Sequence, residues 1–276
     1  MFGFKKYALL TAAALTGAVL LSSCSIKEDR AECPCWLTLY YDNVIHMHDY
    51  SKALVTVFAS EVVVQENVDI IPLEGVGNEY PVPRRENIAM CAVGHENLWW
   101  KHDTLTVPTG LDWGRVFLDT QHVDCSGDLA EAVFDVHKEY CQVNFILVGL
   151  NDASTYPFDI RVRANCNGVR MRDRKPVHGA FTTYAQPENT AELFRVRVPR
   201  QEANEMTMDL LHKRPDHDYK EDDLLMTLDL GNAMSAVGYN WGKEDLDDIY
   251  VTVDFVLGTY SVTIIPWTET DIELRV

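Results

Sequence analysis

The sequence predicts an all-β chain made of two tandem antiparallel β-sandwich domains. Short runs alternate apolar with polar residues, and these runs are rich in β-branched and aromatic side chains. Polar turn sequences separate them. About thirteen such runs follow one another, more than the seven or eight strands of a single sandwich, so we expect two domains.

The chain begins with the pattern of a bacterial lipoprotein signal peptide. Lys5 and Lys6 precede an apolar run over residues 7–21, which is shorter than the roughly 20 residues of a membrane-spanning helix. The run ends in Leu21-Ser22-Ser23-Cys24, which is similar to a lipobox. We expect residues 1–23 to be removed and Cys24 to be acylated on its sulfur. The alternative is an ordinary cleavable signal followed by an incidental cysteine.

Residues 24–32 are expected to form a tether between the lipid and the folded body. The triplet Lys27-Glu28-Asp29 is similar to the export signal of surface lipoproteins in the Bacteroidetes, and no aspartate directly follows Cys24. These residues indicate the cell outer membrane and favour its outer leaflet over the periplasmic face. Several acyl chains would make the attachment nearly permanent, since one chain alone binds only marginally.

The first sandwich is predicted over residues 33–130. Its candidate strands are residues 36–41, 54–58 and 115–118. A polar loop over residues 124–128 ends this series, and the boundary is placed just after it.

The second sandwich is predicted over residues 131–276. Residues 140–150 resemble a central strand because they become almost entirely apolar, and residues 158–164 alternate regularly. One segment, residues 242–248, is expected to form a short helix. The other candidate strands are residues 132–138, 194–198, 206–211, 224–230, 249–257 and 260–265.

The chain ends with a further strand-like segment whose apolar residues are Ile272, Leu274 and Val276. Pro266 and four polar residues, 268–271, separate it from the preceding strand. Two interpretations stay open. The segment is either the last strand of the second sandwich or a donor strand that completes the sheet of a partner subunit.

Net charge argues against several classes of partner. Removing Lys5 and Lys6 leaves 22 basic residues against 42 acidic ones, a net charge of −20. Such a surface repels phosphate backbones and anionic lipid headgroups, so we expect no nucleic-acid binding.

Six cysteines remain after Cys24, and an even number in an exported chain is compatible with disulfide bonds of undetermined pairing. The Cys-Pro-Cys sequence at 33–35 and the His-Met-His sequence at 46–48 also suggest a metal site, but their spacing matches no common zinc pattern. We therefore expect no metal and no cofactor. The six are Cys33, Cys35, Cys91, Cys125, Cys141 and Cys166.

Other conspicuous residues have simpler explanations. Trp99 and Trp100 are adjacent, so in a strand one is expected to face the core and the other the surface. The acidic run over residues 216–223 lacks the glycine and spaced ligands of a calcium loop. The sequence has no nucleophile elbow, no H-E-x-x-H motif and no phosphate loop, so we expect a protein that is not an enzyme.

Several segments together resemble the FimB-type fimbrial anchor lipoproteins of Bacteroidetes. Their order and spacing carry the resemblance, which runs from the lipobox to Trp267. The segments are residues 32–39, 136–143, 167–168, 198–201, 238–241 and 245–251.

The resemblance implies two transthyretin-like domains and a role in anchoring a fimbrillin-type pilus polymer at the outer membrane. It also implies strand exchange with the first stalk subunit. The alternative function is a surface glycan-binding lipoprotein with an aromatic platform formed by Trp99, Trp100 or Trp113.

Overall fold

Short runs of β-branched and aromatic residues form nearly all of the regular structure. The computed structural model describes residues 33–48, 50–149, 158–187, 193–214 and 218–267. This part of the chain contains nineteen strands, which form four sheets, and two short α-helices. The prediction of an all-β chain built from antiparallel sandwiches is confirmed.

The first ten strands come from the N-terminal half of the chain. Eight of them form two sheets, one with the strand order β4-β1-β9 and the other with the order β10-β8-β5-β2-β3. Strands β6 and β7 belong to a third sheet. Helix α1 (Asp42–His48) connects β1 to β2. The strands are β1 (Cys35–Tyr40), β2 (Lys52–Phe58), β3 (Val62–Asp69), β4 (Asn78–Val82), β5 (Glu86–Val93), β6 (Trp99–Lys101), β7 (Thr104–Thr106), β8 (Phe117–Asp124), β9 (Leu129–Val133) and β10 (His137–Lys138).

The C-terminal half supplies the other nine strands and helix α2 (Leu230–Ala236), whose N-cap Asp229 accepts a hydrogen bond from the Asn232 amide. One sheet has the order β14-β15-β11-β18-β19. The other has the order β17-β16-β12-β7-β6, with β13 also paired to β12. The strands are β11 (Tyr140–Val148), β12 (Phe158–Arg170), β13 (Lys175–Tyr184), β14 (Gln186–Pro187), β15 (Leu193–Pro199), β16 (Thr207–His212), β17 (Leu224–Asp229), β18 (Asp248–Asp254) and β19 (Thr259–Ile265).

Two neighbouring pairs run parallel within these mainly antiparallel sheets. Strand β1 pairs with β9 in a register that sets Trp36 opposite Leu129, and β11 pairs with β18 with Val143 opposite Ile249. A parallel pair needs a long crossover, and both pairs join strands far apart in sequence. The first strand of each half is thereby placed inside its sheet rather than at the edge.

The two halves share a sheet. The β6–β7 hairpin belongs to the N-terminal half by sequence, yet β7 pairs with β12, with Thr106 opposite Gly168. A Cβ atom on Gly168 would lie 2.1 Å from the Leu105 carbonyl oxygen, so this close approach requires glycine. The described residues from Cys35 onward belong to one compact unit. The domain limits 33–130 and 131–276 stay a prediction, and residue 130 falls inside β9.

The helix expected over residues 242–248 is wrong. That segment is a series of turns leading into β18. Its carboxylates accept hydrogen bonds from distant residues instead of stabilising a helix start: Asp245 accepts from the Lys138 backbone amide at 2.7 Å, and Asp248 from that of Gln142 at 2.8 Å.

Candidate functional site

A network of buried charges joins β10 to the turn before β18. We call it the junction network and define it as His137, Lys138, Glu139, Arg200, Asp245 and Asp248. Residues 136–143 and 245–251 carry much of the family resemblance, and the structure brings these two segments into direct contact. The network therefore lies where the N-terminal sheet of β10 meets the C-terminal sheet of β18.

Lys138 is the centre of this network and has no exposed surface. Its ammonium donates to Asp248 Oδ1 and to the Leu246 carbonyl oxygen, both at 2.6 Å. The nitrogen also lies 4.5 Å from the ring centre of Tyr140 and 4.8 Å from that of Trp267. Because its charge is paired and two aromatic rings cover it, this lysine has a structural role and is not accessible to a substrate.

Glu139 is also buried and is held by two arginines. The guanidinium of Arg200 donates to its carboxylate at 2.8 and 3.2 Å, and Arg174 donates to the same carboxylate. The Glu139 backbone carbonyl accepts a 3.0 Å hydrogen bond from the indole of Trp113. These contacts fix the start of β11 against the turn at residues 241–244, whose carbonyls Arg200 also binds.

His137 and Asp245 form a partly exposed pair at the rim of the network. The His137 ring nitrogen Nδ1 lies 3.2 Å from Asp245 Oδ2, and Nε2 lies 3.2 Å from Glu244. The hydrogen bond to Asp245 raises the pKa of His137, although partial burial opposes this. Burial is the largest single influence on Asp245 and favours its protonated form, but the hydrogen bonds from His137 and from the Lys138 amide, together with the nearby positive charges, outweigh it and lower the pKa of the carboxyl.

Trp267, the last described residue, is fixed onto the junction network. Its backbone amide donates to Asp247 Oδ1 at 3.1 Å, and its ring packs 6.3 Å from that of Phe117 and over Lys138. These contacts determine the position of Trp267, the residue directly before the segment 268–276. The predicted donor residues Ile272, Leu274 and Val276 lie outside the described residues, as do Cys24, Lys27, Glu28 and Asp29.

The tryptophans expected as a glycan platform fall into two groups. Trp99 and Trp100 are 68% and 39% exposed, so the expectation that one faces the core is wrong. Strand β6 is an edge strand of three residues, and all three are exposed. Trp113, in contrast, is buried and bonded to Glu139, which excludes it from any surface platform.

Five of the predicted disulfide cysteines are buried thiols: Cys35, Cys91, Cys125, Cys141 and Cys166. Cys33 is exposed. Burial raises the pKa of Cys141 to about 12, so its thiol stays protonated and unreactive at neutral pH. Disulfide formation stays a prediction for these residues.

The structure contains no cluster of three or more His, Cys, Asp or Glu side chains placed to hold a metal ion within its described ranges. His46, one residue of the alternative metal site, lies 3.2 Å from Glu74. In the acidic run, Asp223 accepts hydrogen bonds from Arg214 and from the Lys220 backbone amide. None of the helices in these ranges has the length and apolar character that crossing a membrane requires.

Sequence reasoning missed the junction network as a unit. Residues 136–143 and 245–251 stood out as family-like segments, but no role followed for Lys138 or Arg200. The sequence did contain one indication, because Lys138 and Glu139 directly precede a strongly apolar strand. Charged residues in such a position are rarely buried unless they are paired, so a pair of buried ionic contacts could have been expected there.

Three solved structures share this fold over most of their length. They are a candidate adhesin from Bacteroides ovatus (11% identity, TM-score 0.53, covering 88% of this chain and 95% of that one), a candidate polysaccharide-binding protein from Bacteroides thetaiotaomicron (11%, 0.54, 81% and 92%) and the fimbrial anchor protein Mfa2 from Porphyromonas gingivalis (12%, 0.53, 85% and 98%). At these identities the likeness shows the fold. No protein-family model and no curated protein matches the sequence.

Proposed function

We propose that the chain is a lipid-anchored surface subunit that attaches a fimbrillin-type pilus to the outer membrane. The main support is the fold, which the fimbrial anchor protein Mfa2 shares over 98% of its own length. The lipobox ending in Cys24 and the Lys27-Glu28-Asp29 triplet support attachment to lipid and export to the cell surface. A FimB-type anchor combines these features, and none of them requires catalysis.

The lipid arm of this proposal is tested with a Cys24→Ala variant in the bacterium that carries the gene. Loss of the acylated thiol removes the membrane attachment, so we expect the body to fold and the pili to appear in the culture medium. Cys33→Ser is the matched control, because it removes an exposed thiol from the same region without touching the lipobox. Pili that stay on Cys24→Ala cells would contradict the anchor role.

The partner arm concerns the segment after Trp267. Because the junction network holds Trp267 in place, residues 268–276 start from a fixed point, which favours their use as a donor strand for the first stalk subunit. Ile272, Leu274 and Val276 would occupy alternate pockets on one face of that strand. The other interpretation, an internal last strand, stays open.

A pair of triple and double variants separates these two interpretations. Ile272→Ser/Leu274→Ser/Val276→Ser removes the apolar face, and Glu273→Ser/Arg275→Ser changes only the opposite face. We expect the triple variant to keep the unfolding midpoint of the natural protein but to lose co-purification with pili, and the double variant to keep both. The donor-strand interpretation is contradicted if the triple variant still co-purifies with pili. It is also contradicted if the triple variant loses stability, because that result indicates an internal strand.

A second candidate function, glycan binding, is favoured by the exposed pair Trp99 and Trp100. Two exposed tryptophans on one edge hairpin form an apolar surface of the kind that marks ligand sites, and one structure with this fold is a candidate polysaccharide-binding protein. A glycan array with the Trp99→Ala/Trp100→Ala variant tests it. Trp36→Ala is the control, because Trp36 is an exposed tryptophan on a different sheet. Equal array signals from all three proteins would exclude this platform.

A further inference from the structure

The thiols of Cys35 and Cys125 lie side by side in the N-terminal half of the body. Cys35 is the first residue of β1, and Cys125 directly follows β8. Both side chains are fully buried, and the Cys35 thiol lies close enough to that of Cys125 to raise its pKa. Cys35 lies opposite Val82 of β4, three residues before Arg85. Their backbones are held as well, since the Trp36 amide donates to the Asp128 carbonyl at 2.9 Å and the Cys125 amide to that of Arg85 at 3.1 Å.

We propose that Cys35 and Cys125 form a disulfide bond that joins β1 to the loop between β8 and β9. Two neighbouring thiols on fixed backbones need little movement to bond, and a disulfide demands this closeness of approach. The proposal rests on the proposed export of the chain, because compartments outside the cytoplasm oxidise thiols.

The other buried cysteines have different neighbours. Cys91 lies opposite Asp119 on the neighbouring strand β8, and the pKa of Cys141 is affected by burial and by the nearby Asp248 and Tyr239. The Cys166 amide donates to the side chain of Gln201. The competing partner for Cys125 is Cys33, which is exposed and only two residues from Cys35.

The bond forms by exchange with a disulfide-containing oxidant, such as a thiol oxidase of the cell envelope or oxidised glutathione. One cysteine thiolate attacks the oxidant's disulfide, forms a mixed disulfide and releases one thiolate of the oxidant. The second cysteine thiolate then attacks the mixed disulfide and releases the other. Two electrons pass to the oxidant, and the two protons lost by Cys35 and Cys125 end on its two thiols.

The timing of this reaction follows from burial. Burial, together with the neighbouring Cys35 thiol, raises the pKa of Cys125 to about 11, so the folded reduced protein contains very little of the reactive thiolate at neutral pH. The bond therefore closes during folding, before the core excludes the oxidant.

Peptide mapping of the full-length protein tests the proposal. The protein is extracted from bacterial membranes with detergent, its free thiols are alkylated, and trypsin is applied without reductant. We expect residues 31–52 to be linked to residues 116–138, the two tryptic peptides that contain these cysteines. Alkylated thiols on both Cys35 and Cys125 in the natural protein would overturn the proposal.

A matched pair of variants identifies the bonded cysteine, since Cys33 and Cys35 share one tryptic peptide. Cys33→Ser is expected to keep the linked peptides, and Cys35→Ser to lose them. The opposite result assigns the bond to Cys33 and overturns the proposal. Where Cys35→Ser does not fold, fragmentation of the linked peptides of the natural protein shows which of Cys33 and Cys35 is alkylated, and an alkylated Cys35 overturns the proposal.

Refolding separates this proposal from that of the lipid anchor. The purified full-length chain is unfolded, reduced and refolded in a glutathione redox buffer, and the same peptides are mapped. If the refolded protein contains the linked peptides but Cys24 in the membrane sample carries no acyl chain, only the lipid-anchor proposal is contradicted. Separate peptides in the refolded protein overturn the disulfide regardless of where the protein resides. In the linked protein, reductant is expected to lower the unfolding temperature by roughly 10 °C, because the bond closes a long loop.

Discussion

At the scale of single residues, Lys138 is unusual because its charge is fully buried and is balanced by a buried carboxylate. Its carboxylate partner Asp248 is also buried, and the two are 2.6 Å apart. Breaking a buried pair by removing one partner is far more costly than removing an exposed pair, because an uncompensated charge stays inside the protein. This asymmetry makes the contribution of the network measurable.

Lys138→Met is expected to lower the free energy of unfolding by about 3–5 kcal/mol, since it leaves the Asp248 carboxylate without its cation. Urea unfolding followed by circular dichroism measures the change. Lys175→Met is the control: Lys175 is mostly exposed and lies 3.9 Å from Asp173, so its loss is expected to change stability by less than about 1 kcal/mol. Equal effects of the two substitutions would contradict the importance of burial.

His137 and Asp245 predict how stability depends on pH. The folded pKa of His137 is raised, so its contribution is complete below its unfolded pKa of about 6.5 and is lost as the pH rises through the folded pKa. The folded pKa of Asp245 is lowered, so its contribution is present above about 3.9 and is lost as the pH falls through the folded value. The pair therefore stabilises the protein most between about pH 4 and pH 6.5.

His137→Asn tests this dependence. From pH 5.5 to pH 8.5 the natural protein is expected to lose up to about 1 kcal/mol more stability than the variant, a modest value because the pair is partly exposed. Urea midpoints at the two pH values measure it. In His178→Asn, which removes an exposed histidine facing Glu202, the pH dependence of the natural protein should remain. Identical pH profiles for the natural protein and His137→Asn would refute the linkage.

At the scale of the elements, the sequence predicted most strands of the C-terminal half but missed β3, β4, β5 and β13, and it did not predict how the strands pair. Alternation located the start of β12 at Phe158 and that of β11 at Tyr140, because side chains in a strand alternate between two faces. Helix α2 was missed, since its seven residues contain Gly231 and are too short to show helical periodicity. The docking of the β6–β7 hairpin onto β12 was missed because β12 lies about sixty residues further along the chain.

Gly168→Ala tests the docking of that hairpin. The added Cβ would meet the Leu105 carbonyl oxygen, so β7 is expected to move away from β12 at a cost of about 1–3 kcal/mol. The Val107 amide, which donates to the Asn167 carbonyl at 2.9 Å, should then exchange its hydrogen faster. Gly127→Ala is the matched control, because a Cβ there meets only ordinary contacts at 3.5 Å. Unchanged exchange at Val107 in Gly168→Ala would argue against close docking.

At the scale of the whole molecule, the sequence predicted the class of fold better than its connections. Alternation and turn residues indicate sandwiches, but the network joining the halves depends on side chains more than a hundred residues apart, such as Lys138 and Asp248. Local sequence patterns do not indicate which distant carboxylate forms an ion pair with a given lysine. The exposure of both Trp99 and Trp100 was missed for the same reason, since it depends on the position of β6 at the edge of a sheet.

Because β7 belongs to a sheet of the C-terminal half and Lys138 is bound by the turn before β18, we expect the two halves to unfold together. Circular dichroism and tryptophan fluorescence should give coincident urea transitions with a single midpoint. Two resolved transitions would show instead that each half is stable without the other.

The central position of β1 has a mechanical consequence. A force applied to residues before Cys35 enters the body at the first residue of β1, which is hydrogen-bonded to β4 on one side and to β9 on the other. When the force acts along the strand, both ladders are sheared at once, whereas a strand peeled from a sheet edge would lose its bonds one at a time. Rupture then depends on the unfolding rate under tension rather than on equilibrium stability. A chain stretched from its N-terminus is thus resisted at its first strand by two hydrogen-bond ladders together.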